Sequence, residues 1–133
     1  MIDISEILKK EPTLTPFGIE GENTFKAANP IFHANEIKQI ETCIEWLNTR
    51  HIQKTINKIS TSYGIKHVLE RELKTYVCNG SFIAAVIHLN IPYIRIMDSP
   101  NIHVPISRRE IYKNDPANQR LSKRNKNKIL GGQ

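Results

Sequence analysis

His67 and Glu70 stand three residues apart in Lys66-His67-Val68-Leu69-Glu70-Arg71. On a helix that spacing sets an imidazole beside a carboxylate, the minimum arrangement for acid–base chemistry. The same spacing also builds a surface ion-pair ladder, with Lys66 facing Glu70 and His67 facing Arg71, and that is the reading we prefer. The other histidines, His33, His51, His88 and His103, show no HExxH or paired ligand spacing, so no metal or cofactor is expected. His88, at the end of an apolar run, reads as a hydrogen-bonded core histidine.

Asn79-Gly80 could open a helix whose backbone N–H groups hold an anion, although an ordinary cap and turn explains the pair as well. No serine lies in a G-x-S-x-G turn, and no glycine-rich phosphate loop is present. Cys43 and Cys78 have apolar neighbours and no CxxC or Cys/His spacing, so they read as two buried free thiols. The final Gly131-Gly132-Gln133 matches the tripeptide that class I peptide release factors carry in an internal loop of a folded domain. Here it follows Ile129-Leu130 and reads as a helix stop.

Charge offers a different chemistry. Residues 1–107 carry 11 basic and 11 acidic residues, whereas 108–133 carry 8 basic residues against Glu110 and Asp115. The whole formal net charge of +6 therefore lies in the last stretch. Arg108, Arg109, Arg120, Lys123, Arg124, Lys126 and Lys128, interleaved with Asn and Gln, are suited to phosphate-backbone contact. Only Tyr112 is aromatic there, so base stacking by the tail is not expected.

The elements that must position these groups follow from periodicity. Asp3 caps a short helix over 3–10 that Pro12 stops. Residues 12–32 are punctuated by proline and glycine and read as an irregular segment packed through Phe17, Phe25 and Phe32. An amphipathic helix runs from Asn35 to about Thr49, with Ile37, Ile40, Cys43, Ile44 and Leu47 inward and Trp46 at the edge of the stripe. Ile52, Ile56 and Ile59 suggest a second helical piece over 51–59. Ser62 caps a third helix, with Ile65, Val68, Leu69 and Leu73 inward. Residues 80–90 are apolar on nearly every side, as a helix buried among others would be. Two alternating runs around Asp98-Ser99-Pro100-Asn101 read as a β-hairpin, with Pro105 confining the second strand to an edge.

The expected fold is therefore α+β and mostly helical: a helical bundle around a central apolar helix, plus a β-hairpin. One globular domain spans 1–112, and 113–133 form a basic tail, flexible or helical on binding, with Asp115-Pro116 as its helix start. Helix 62–74, helix 80–90 and a hairpin follow the order of a winged helix-turn-helix, in which Arg95 and His103 would meet phosphates. Against that arrangement, a recognition helix shows polar side chains to base edges, and 82–89 offers only His88.

The stretches Ser62-Tyr63-Gly64-Ile65-Lys66-His67 and Tyr76-Val77-Cys78-Asn79-Gly80-Ser81-Phe82-Ile83-Ala84-Ala85 resemble small uncharacterised proteins of bacterial prophages and plasmids. The resemblance implies a mobile-element setting and transfers no catalytic residue. The N-terminus lacks the basic and apolar regions of a signal peptide, and the longest apolar run, 82–87, is too short to span a bilayer. A cytoplasmic protein without a membrane partner is expected.

The leading functional expectation is non-catalytic nucleic-acid binding, DNA or RNA, through the basic tail, with the neutral body supplying shape or a homodimer surface. The alternatives are a module that docks on a host protein with an acidic face, and a small enzyme using His67/Glu70 or Asn79-Gly80. The enzyme alternative requires a concave pocket at those residues.

Overall fold

The computed structural model describes residues 2–21 and 31–117. Within them the chain is α+β, with five helices and two small antiparallel hairpins. Helix α1 (Ile4–Lys10) begins where Asp3 accepts the Ser5 N–H and buries Ile7. A hairpin of two-residue strands follows, β1 (Leu14–Thr15) with β2 (Gly18–Ile19), registered Leu14 to Ile19. It lies in the segment expected to be irregular. Strands this short leave no periodic signal, and the turn Pro16-Phe17 exposes Phe17 while Phe32 is buried. Phe25 falls outside the described residues.

Helix α2 (Ala34–Asn48) starts where Glu36 accepts the His33 N–H at 3.0 Å. It buries Ile40, Cys43, Trp46 and Leu47. Trp46 is fully inside rather than at the stripe's edge, edge-on to Phe82 with ring centroids 6.4 Å apart. Helix α3 (Ser62–Leu73) is capped by Thr61, whose Oγ1 accepts from Gly64 N–H, and ends at Lys74 in the left-handed region. Leu73, expected inward, is exposed because the helix is leaving the core at that turn.

Helix α4 (Asn79–His88) buries every residue from Asn79 to Ile87 and packs chiefly against α2, with further contacts to α3, α1, β1 and β2. Side chains such as Phe82, Ile83 and Val86 each contribute on the order of 1.5–3 kcal/mol through burial. His88 points out to solvent as α4 emerges from the core, which corrects its expected place inside. Gly80 is needed for the helix to seat at all. A Cβ there would lie 1.8 Å from the Thr15 carbonyl oxygen, and its N–H donates to Pro16 O at 2.8 Å. The first hairpin thus rests directly on the start of α4.

The second hairpin pairs β3 (Ile94–Arg95) with β4 (Ile102–His103). Residues 51–59 are not helical. Gln53 N–H donates to Pro105 O and Asn57 N–H to Val104 O, so the segment lies as bent, irregular chain against the residues just after β4. Its isoleucines share a helical spacing, yet Ile59 is exposed, and backbone pairing with Val104 and Pro105 outweighs the helical pattern. Helix α5 (Arg108–Tyr112) closes the described chain. Ser107 Oγ accepts from Glu110 N–H, and Ile111 is buried.

Candidate functional site

Two concave surfaces meet along α3. The first is a cleft of about 730 Å³ where α3 faces α5 and the segment after it, lined by Arg71, Arg108, Arg109, Tyr112, Lys113 and Asp115. Ser107 starts α5 by its cap and Ile111 fixes α5 inward, which leaves Arg108 and Arg109 on the outer face. Arg108 lies over the Tyr112 ring at 5.7 Å. No ion pair engages Arg108 or Arg109 among the described residues. Arg71 grips Asp115, an interaction that raises the guanidinium's pKa further. Lys113 bonds Glu110 at 2.6 Å and, together with the His51 N–H, holds that carboxyl below its ordinary value.

Of the residues expected to touch phosphate, the structure thus brings Arg108 and Arg109 together and adds Arg71 and Lys113. Arg120, Lys123, Arg124, Lys126 and Lys128 lie outside the described residues. The Asp115-Pro116 helix start is present, with Asp115 Oδ1 accepting from Ala117 N–H. Helix α5 itself went unread, although Ser107 and Glu110 stand at capping-box spacing.

The second surface is a cleft of about 670 Å³ that also borders α3. Tyr63, Lys66, His67 and Glu70 face it at helical spacing, the β1–β2 turn contributes Pro16 and Phe17, and the loop before α4 contributes Tyr76 and Cys78. Asn79, Pro100 and Asn101 complete it. The ladder expected on the surface is here partly buried. Lys66 is only 4% exposed, its ammonium 3.2 Å from Glu70 Oε2 and 5.2 and 5.1 Å from the Tyr63 and Tyr76 ring centroids. Those contacts are what allow a lysine inside.

Glu70 is fully engaged. Oε1 takes His67 Nδ1 at 2.9 Å, and Oε2 takes Lys66 and the Val77 N–H at 3.1 Å. The carboxylate therefore orients His67 as a base-holding group would, and the concave pocket that the enzyme alternative requires exists. Among the described residues, neither Cys78 nor Ser81 is placed as an activated nucleophile beside it. Burial pushes the Cys78 thiol up, and the Ser81 hydroxyl donates to Glu36 O at 2.8 Å. The start of α4 is likewise occupied, though not by an Asn79 cap: Cys78 is the N-cap without a side-chain cap bond, and Gly80 N–H bonds Pro16. Asn79 Nδ2 donates to Phe17 O and Asn101 Oδ1, while Asn79 Oδ1 is buried with no hydrogen-bond partner among the described residues.

Cys43 and Cys78 are both free and buried. Among the described residues no cluster of three or more His, Cys, Asp or Glu is placed to hold a metal ion. No helix there is long and apolar enough to cross a membrane. His103 Nδ1 donates to Ser60 O, and Arg95 reaches Glu11 and Glu20 O, so both side chains expected on a wing have intramolecular partners. Compared with protein-family models, curated proteins and solved structures, the chain matches none.

Proposed function

We propose that the protein binds nucleic acid without catalysing a reaction on it, holding phosphates at the basic cleft between α3 and α5. The observation that carries this reading is the pair Arg108 and Arg109, exposed side by side and neither ion-paired to a carboxylate among the described residues, next to Arg71 and Lys113, which hold Asp115 and Glu110. Arginines presented in that way suit phosphate oxygens through forked hydrogen bonds. Arg120, Lys123, Arg124, Lys126 and Lys128 add further positive charge later in the sequence. The burial of 79–87 favours α3 and α5 over α4 as the contacting helices, so a winged-helix mode with α4 in the groove is the weaker form of the reading. The resemblance of 62–67 and 76–85 to prophage and plasmid proteins would set this binding in a bacterial mobile element, in the cytoplasm.

The test is an anisotropy titration of the full chain and of the Arg108→Ala/Arg109→Ala variant against labelled oligonucleotides over a salt series. Loss of two phosphate contacts should weaken binding uniformly across sequences and flatten the log–log salt slope by roughly 1.5–2. An unchanged slope would remove α5 from the interface. A partner that survives nuclease treatment in a pull-down would instead favour docking on an acidic protein face.

A further inference from the structure

We infer that the cleft beside Tyr63 and Tyr76 receives an unstacked nucleobase, so that the protein prefers an unpaired strand or a free nucleotide to duplex. The inference takes from the proposed function only the source of the base; the pocket argument stands separately.

Exposed aromatic rings are uncommon on a small domain, and here three of them border one cavity: Phe17, Tyr63 and Tyr76 are 59%, 53% and 67% exposed. Their volume of about 670 Å³ lies in the range that holds small organic ligands. Both tyrosine rings converge on the single ammonium of Lys66, and Tyr63 is further braced edge-on by His67 at 4.5 Å. The rings are therefore held in place before any ligand arrives, and flat aromatic faces suit the face of a base.

The polar groups agree with the same occupant. Lys66 offsets Glu70, which removes the local negative charge that would repel a phosphate. Phe17 O and Asn101 Oδ1 fix the Asn79 amide, leaving its carbonyl oxygen as a buried acceptor with no partner among the described residues. That oxygen is shut off from solvent, so the Asn79 amide serves as a fixed wall of the cleft. Arg71 follows His67 by four residues, a rise of about 6 Å along α3. One short strand could therefore place a base in this cleft and a neighbouring phosphate in the basic one. A duplex offers no base face to such a pocket without unpairing.

The experiment compares a labelled mixed-sequence single strand, the same sequence as duplex, and unlabelled AMP and CMP followed by NMR. Each is measured with the native chain, Tyr63→Leu/Tyr76→Leu, Tyr63→Phe/Tyr76→Phe and Arg108→Ala/Arg109→Ala. The leucine pair strips two rings from Lys66 but keeps Glu70 beneath it, and circular dichroism with a urea melt checks that it remains folded. The expected result is roughly tenfold weaker single-strand binding for the leucine pair, rescue by phenylalanine, and no change for duplex. Binding of AMP or CMP with shifts at Tyr63 and Tyr76, without strand binding, would keep the base pocket and overturn the nucleic-acid reading. Single-strand binding lost with the arginines but untouched by the leucine pair would overturn the pocket and keep the phosphate contacts. Absence of binding to every probe would overturn both.

Discussion

The guanidinium of Arg71 holds both carboxylate oxygens of Asp115, Nε to Oδ1 at 3.0 Å and Nη2 to Oδ2 at 2.8 Å. This pair joins α3 to the segment after α5 and sets the floor of the basic cleft. Asp115 is 2% exposed, while the Arg71 side chain is 41% exposed, so solvent screens part of the interaction. Replacing Asp115 with Ala should cost about 1–2 kcal/mol, read as a lower urea midpoint at unchanged m. It also releases one cation. In the salt series the variant should therefore show a slope steeper by roughly 1, the reverse of the arginine-deletion result.

Gly80 and Gly64 predict opposite outcomes for the same substitution. A Cβ at Gly80 would meet backbone on two sides, Thr15 O at 1.8 Å and Pro16 Cα at 2.6 Å, and backbone cannot step aside as a side chain can. Gly80→Ala should cost about 3 kcal/mol or more by lifting the first hairpin off α4. At Gly64 the nearest atom would be Thr61 Oγ1 at 3.7 Å, an ordinary contact. Gly64→Ala should raise stability by about 0.5–1 kcal/mol through helix propensity alone. Thermal melts of the two variants check both signs at once.

These glycines mark where local pattern stopped being informative. Helices α2, α3 and α4 were legible within a residue or two because apolar spacing acts over a few positions, although Thr61 caps α3 and Ser62, expected as its cap, is the helix's first, buried residue. The β3–β4 hairpin was legible from Asp98-Ser99-Pro100-Asn101, since turn chemistry is equally local. The irregular course of 51–59 was not, because Val104 and Pro105 decide it from fifty residues away. Charge alone also misplaced Lys66. Only Tyr63 and Tyr76 around its ammonium, and Glu70 beneath it, make its burial tolerable. At the basic cleft, Arg108 and Arg109 were expected from composition. The aromatic cleft was half seen in His67/Glu70 and Asn79-Gly80, and its other wall, Pro16-Phe17 and Pro100-Asn101, comes from two distant turns.

A further buried ion pair ties the end of α2 to α3. Arg50 lies 4.2 Å over the Trp46 ring and reaches both oxygens of Glu72, with side chains 2% and 10% exposed. Glu72→Ala would leave a cation inside with little but an indole face and Thr49 Oγ1 for company. The expected loss is about 3–5 kcal/mol, much larger than for a surface pair. Trp46 is the sole tryptophan, so its fluorescence should report both the unfolding transition and any native-state change around Arg50. A loss below about 1 kcal/mol would mean the pair behaves as solvent-screened.

Tyr93 supplies a stability change at high pH. Its hydroxyl donates to Glu11 Oε2 at 2.8 Å; burial, followed by the Glu11 hydrogen bond and charge, pushes the phenol up to about 12 from an ordinary value near 10. The phenol is neutral when protonated, so folding favours the protonated form. The stability from this contact is fully present below pH 10 and is lost as pH rises through about 10 to 12. Tyr93→Phe should remove that slope from a plot of unfolding midpoint against pH. Tyrosinate absorbance should at the same time lose one ionisation near pH 12, assignable because the chain has only four tyrosines. If the phenylalanine variant kept the native alkaline slope, the Tyr93–Glu11 bond would not be its source.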